Sequence, residues 1–242
     1  MKSALFLMAA AFLLSCRSFA QVPSIAEGST FQASPHSWKR MLQNQSTSSL
    51  VAYTVGCKPQ HDLTVLHDAL LDGGPYLGPG RSIETEVSEP SSCDAGVRAA
   101  IFSDGHVEGD PEFIGELFAR RRGAYQALGE TIQLLASVYT QNWPLAEVAG
   151  ILKRKSNGGK TPQENEGYSF ALLRVNQVLT QPLVRHGLPR DNRDEKMQLP
   201  AIEVVMKENG ITHEEAGIFL LNKRLEAWRS LLENHLQPGS PD

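Results

Sequence analysis

The chain is short of most features that mark a specialised class of protein. It has three cysteines in 242 residues, too few for a dense disulfide scaffold. After residue 20, charges interrupt every apolar stretch before it reaches the ~20 residues that a spanning helix needs. Glycine shows no three-residue period, which excludes collagen. Basic residues do not exceed acidic ones, 23 against 27, so a dedicated nucleic-acid binder is disfavoured. There is no Gly-x-Ser-x-Gly elbow, no His-Glu-x-x-His helix and no Cys-x-x-Cys pair. Internal repeats, low-complexity tracts and sustained heptads are absent too. What is there is 41% hydrophobic residues with a net charge of −4. That is too much apolar material and too little charge for a disordered chain.

Residues 1–20 carry an address. Lys2 is a positive start, Ala4 to Leu14 is unbroken apolar chain, and Ser15 to Ala20 turns small and polar. That order predicts a secretory signal peptide and a secreted or periplasmic protein of the bacterial envelope. Two processing sites compete. Ser18-Phe19-Ala20 fits cleavage after Ala20, while Leu13-Leu14-Ser15-Cys16 resembles a lipobox that would leave a lipid anchor at Cys16. The first is favoured, because Arg17 directly after the cysteine is unusual for an anchored lipoprotein. Losing residues 1–20 removes Lys2 and Arg17 and no acid, so 21 basic against 27 acidic residues give −6. It also leaves two cysteines, Cys57 and Cys93, which in an exported chain are expected to form a disulfide. Closing that loop is worth about 3–4 kcal/mol in the chain-entropy account.

The remainder divides by periodicity. Residues 21–109 read as a β-sandwich domain. Ser49 to Val55 is β-branched and aromatic, Ser82 to Val87 alternates, and Gly96 to Phe102 is a third strand, with Trp38 to Leu42 a weaker fourth. Asp72 to Gly80 is a Gly/Pro loop between them. Residues 110–242 read as a helical region. Asp110-Pro111-Glu112 opens a long helix with Ile114, Leu117, Phe118, Arg121, Tyr125, Leu128, Ile132, Leu135 and Tyr139 on one face. A second helix starts after Trp143-Pro144 and ends at Lys153 to Lys155. Thr161 to Glu164 caps a third, running to about His186. A short one spans Leu199 to Glu208. Thr212 to Glu215 caps a last helix striped with Leu221, Leu225, Trp228 and Leu232, and the tail after Leu236 is expected to fray. The fold class expected is α+β, an antiparallel sandwich followed by helices.

Few residues suggest chemistry. Asp104, Glu108 and Asp110 are weak candidates for a cation site, but the loop departs from EF-hand spacing, and turn and cap roles explain each residue. His61-Asp62 and His67-Asp68 form a histidine pair without further ligands at diagnostic spacing. Gly158 to Thr161 ends like a phosphate loop but lacks the earlier glycine, where Arg154 stands. In Arg120-Arg121-Arg122, Arg121 falls on the apolar stripe. It is read as a structural clamp between helix and sheet through an acid such as Asp104 or Asp110.

Leu50 to Val55, followed by Leu77-Gly78-Pro79-Gly80 before an alternating strand, resembles the immunoglobulin-like accessory domains of bacterial envelope proteins. Ala100 to Gly105, Gly109-Asp110-Pro111 and Arg120 to Arg122 extend the likeness to a group of uncharacterised exported bacterial proteins, over about residues 30–125. This resemblance implies an immunoglobulin-like sandwich followed by helices and carries no activity. The expectation is a non-enzymatic envelope protein that binds or scaffolds an envelope protein partner, through amphipathic helices. No catalytic residue and no cofactor are expected. The alternative is a carboxylate-dependent hydrolase of extracellular polymers.

Overall fold

The structure, a computed structural model, describes residues 22–35, 37–58, 63–87, 94–141, 145–155, 158–180 and 202–239. The leader, with both processing sites, lies outside them. Among the described residues are seven strands, β1 (Ile25–Ser34), β2 (Ser37–Asn44), β3 (Leu50–Lys58), β4 (Leu63–Asp68), β5 (Ser82–Val87), β6 (Asp94–Phe102) and β7 (Val107–Gly109). Six helices accompany them, α1 (Ala69–Asp72), α2 (Pro111–Gln141), α3 (Leu145–Arg154), α4 (Pro162–Thr180), α5 (Ile202–Asn209) and α6 (His213–Glu233). The protein is therefore mixed α+β, with its long helices in the C-terminal half. None of the described helices is long and apolar enough to cross a membrane.

The strands form two antiparallel sheets, ordered β1-β2-β5 and β4-β3-β6-β7. Their facing sides share one apolar cluster. Ile25, Leu42 and Val87 come from the smaller sheet, and Tyr53, Val55, Val97, Ala100 and Phe102 from the larger. Residues 97 and 100 can face the same way because β6 bulges between them: Val97 pairs with Val55 and Ala99 with Thr54. A bulge inserts one residue and so reverses the alternation. The extra residue is Arg98, whose carbonyl is taken by the Asp110 N–H at 2.7 Å. Strict alternation along 96–102 hides this step.

The other face of the larger sheet meets the start of α2. Ala52, Ala99 and Ile101 pack there against Phe113, Leu117 and Phe118. The second half of α2 leaves the sheet. Its Ala124, Ala127, Leu128 and Leu135 build a third cluster with α3, α4, α6, Val51 of β3 and Leu70 and Leu71 of α1. At 31 residues, α2 is roughly 46 Å long at 1.5 Å per residue, enough to serve both cores.

The helix starts at Asp110 and Thr212 carry the caps that their sequences predict. Asp110 Oδ1 accepts from Glu112 N at 3.0 Å, and Gly109, at φ 111°, leaves room where a Cβ would strike the Arg98 carbonyl. Thr212 and Glu215 make a complete capping box. Thr161 makes half of one: its hydroxyl accepts from Glu164 N at 3.1 Å, but the Glu164 carboxylate turns back to Lys160 N at 2.8 Å. All four stripe residues of α6 are buried.

Four elements differ from the sequence expectation. β1 carries no sequence signal because seven of its ten residues, Glu27–Ser29 and Phe31–Ser34, are exposed and show no apolar alternation. β4 and α1 occupy what reads as a polar histidine stretch, and β7 a stretch that reads as a loop. Of the tail, residues 236–239 are described, and there Gly239 N donates to Gly105 O at 3.1 Å. The expected run of the third helix beyond Thr180 lies outside the described residues.

Candidate functional site

The densest cluster of buried charge sits where β4 runs into α1. Asp68 is the last residue of β4 and the N-cap of α1, its Oδ1 accepting from Leu70 N at 3.0 Å. Arg121, one turn past the sheet-packed part of α2, donates to it twice: Nε to Oδ2 at 2.7 Å and Nη2 to Oδ1 at 3.1 Å. Both side chains are 1% exposed. A third donor, Nη1, reaches His235 O at 3.3 Å, and the guanidinium lies over the Phe118 ring. Arg121 thus joins α2 to the end of β4. Its acid is Asp68, however, and neither Asp104 nor Asp110.

The helices grip the same short segment elsewhere. Trp228 Nε1 of α6 donates to Leu70 O at 2.8 Å, and Arg174 Nη2 of α4 to Asp72 O at 3.3 Å. Asp72 Oδ2 accepts from Asp68 N at 2.9 Å and lies 3.0 Å from His67 Nδ1. The His67 ring in turn tilts against Tyr53. Burial raises the Asp72 carboxyl. The hydrogen bonds from His67 and from Asp68 N–H, with the charges of His67 and Arg120, outweigh it and hold the group below its ordinary value. A depressed carboxylate gives stability that is present above its unfolded-state value and disappears as pH falls through the folded one. Asp72→Asn should therefore flatten the acid limb of stability below about pH 4, read as denaturant midpoints across pH.

The cation candidates are not gathered around a common point. Asp104 accepts from Ser48 Oγ at 2.6 Å and His106 N at 3.0 Å. Glu108 accepts from Ser24 N and Oγ and meets His106 Nε2 at 2.9 Å. Asp110 caps α2 and stands 3.5 Å from Arg98 Nη2. Among the described residues no group of three or more His, Cys, Asp or Glu is placed to hold a metal ion. His61 lies outside those residues, so the histidine pair is not described, and His67 serves Asp72.

Arg120 pairs with Glu166 at 3.1 Å, and Arg122 with Glu164 at 3.1 Å. In the Gly158 to Thr161 loop the amides turn to protein, Gly159 N to Asn165 Oδ1 and Lys160 N to Glu164. Behind it, the Glu130 carboxylate accepts from Tyr168 Oη at 2.7 Å and Lys155 Nζ at 2.6 Å, tying α2 to α4 and to the end of α3. Cys57 is buried on β3 and pairs across the ladder with Ala95. Cys93 lies outside the described residues.

Sequence reasoning missed Asp68 and Arg98. The first is 53 residues from its partner, and the second is set by a bulge. The signal for Arg98 is a charged residue inside an otherwise apolar strand, and for Asp68 an acid directly before the apolar Ala69-Leu70-Leu71. Taken together, the arrangement immobilises elements, with each carboxylate described above committed to donors of the protein itself. Comparison of the chain with protein-family models, curated proteins and solved structures finds no match.

Proposed function

We propose that this is an exported, non-enzymatic protein of the bacterial envelope that binds or scaffolds a protein partner, released by cleavage after Ala20. The observation that carries the non-enzymatic part is the use of the charged side chains. Asp68, Asp72, Glu108, Asp110, Glu130 and Arg121 each fasten one element to another. The partner face differs from the one first expected. The apolar stripes of α2, α4 and α6 are spent on the cores; Leu173 of α4 and Val204 of α5 are exposed on separate helices, whereas the outer face of the smaller sheet keeps Phe31 and Met41 exposed together, at 41% and 37%. Phe31 lies opposite Lys39 on β2, two residues from Met41. The two therefore share the outward side, beside the charged Lys39 and Glu84.

The strand order supports the immunoglobulin-like reading. Seven strands in two antiparallel sheets fit that architecture, with β4 moved to the larger sheet relative to the constant-domain pattern. A Cys57–Cys93 bridge belongs to the same proposal, since Cys57 stands opposite Ala95, two residues from Cys93. Thiol titration of the unfolded, unreduced mature chain should find no free thiol.

The test is cross-linked co-purification from the native envelope fraction, with wild type beside a Phe31→Lys/Met41→Lys double variant. A partner held by wild type and lost by a folded variant supports the reading. Release of small products from envelope polymers by the purified protein overturns it. So does a mature chain that keeps residues 1–20.

A further inference from the structure

The chain that enters β1 is tied to β7 at Glu108, and β1 itself is tied to β6 through Glu27, whose Oε1 accepts from Val97 N at 3.0 Å. Ser24 donates to Glu108 twice, backbone N to Oε2 at 3.0 Å and Oγ to Oε1 at 2.5 Å. The same Oε1 meets His106 Nε2 at 2.9 Å. Two residues earlier Val22 is buried in the cluster between the sheets, beside Ile25. The backbone of this strap is otherwise tied by Ile25 N to Val22 O at 3.1 Å and by Gln45 N to Ser24 O at 2.8 Å. Beyond it β1 is the edge of its sheet and pairs only with β2 among the described residues. Nothing but Glu108 links Ser24 to the larger sheet in the hydrogen bonds described.

We propose that Glu108 is an acid-sensitive clamp: its protonation frees residues 22–24 from β7, while Glu27 still holds β1 to β6 and β3 and β6 stay paired. The neutral acid keeps an acceptor but loses the charge that strengthens both Ser24 bonds. The groups that face Glu108 are few. His106 is the cation beside it when protonated. Asp104 is occupied by Ser48 and by His106 N. The residue opposite on β6 is Ala100, and the strap itself contributes only Ser24. Burial raises the Glu108 carboxyl, but the Ser24 and His106 hydrogen bonds and the His106 charge outweigh it, so the group sits below its ordinary value. The clamp therefore holds above the ordinary carboxylate range and opens as pH falls through the lower, folded value.

Hydrogen exchange of the mature chain, resolved by residue and corrected for the intrinsic rate, tests this. Protection of the Ser24 amide should fall by roughly tenfold or more between about pH 6 and about pH 3.5, while β3 amides such as Tyr53 keep theirs. Glu108→Gln, close in shape, should leave Ser24 poorly protected at both pH values. Ser24→Ala, which keeps the N–H donor, should retain a smaller acid transition. The clamp is refuted if Ser24 protection is independent of pH, if it falls only together with Tyr53, or if Glu108→Gln retains the full wild-type transition.

Discussion

Asp68→Asn is expected to destabilise the protein by about 3–5 kcal/mol, the cost of breaking one side of a buried ion pair. Asparagine isolates the charge, because it is as good an N-cap as aspartate and can still accept from Leu70 N. What it cannot do is receive two guanidinium donors. Its amide nitrogen would face Arg121 N–H groups, and a cation 1% exposed would stand without an anion. Arg121→Met should cost a similar amount, for it strands the carboxylate. The double variant Asp68→Leu/Arg121→Met should recover much of the loss, since a buried pair replaced by apolar groups of similar volume is often neutral. Arg120→Met is the contrast. Arg120 Nε and Nη1 have no hydrogen-bond partner among the described residues, and its acid Glu166 is 52% exposed. Losing that pair and the Phe170 contact should cost no more than about 1 kcal/mol. Urea midpoints of the five proteins decide it. Equal losses for Arg120→Met and Arg121→Met would remove Asp68 from the centre of the fold.

The second large effect is expected at the crossing of α2 and α4. The contact is reciprocal. A Cβ on Gly123 would fall on the Glu164 carbonyl, and a Cβ on Gly167 on the Arg120 carbonyl. Each obstacle is backbone, with no flexible side chain able to step aside, so α2 and α4 must part. Gly167→Ala should cost about 3 kcal/mol or more, the upper end of overpacking, although alanine is by itself the better helix former. Gly115, exposed on the same α2 with nothing near its missing Cβ, shows the opposite sign: Gly115→Ala should stabilise by about 0.5–1 kcal/mol. A Gly167→Ala protein as stable as wild type would mean that the helices can separate freely. Tyr168, next in sequence, would then lose its fixed approach to Glu130.

These two expectations show what one dimension of chain conveys. The caps at Asp110 and Thr212, the alternation of Ser82 to Val87 and the stripe of α6 are local rules, and each describes its element well. Arg121 was legible as an inward residue because a periodic face must include it. Asp68 was not legible as its partner, since nothing in a strand end marks which distant cation it meets. Gly123 and Gly167 announce close approach by standing where glycine weakens a helix, yet which glycine meets which backbone belongs to the packed pair. β1 failed for a different reason: an exposed edge strand has no buried face to print a period on the sequence. The candidate cation loop was misleading because the same acids that bind metals also cap helices and close turns, and there the donors were already supplied by Ser24, Ser48 and the helix start.

The β6–β7 hairpin receives both Ser24, through Glu108, and Gly239, through the Gly105 carbonyl. Under tension the body would be loaded at this one turn. A pull applied at those two residues would bear on two short attachments of one hairpin and, through Val22 and Ile25 beside Ser24, on the core between the sheets. Placed in series with other components, the protein would act as a bead hung from one hairpin. It would be a poor strut.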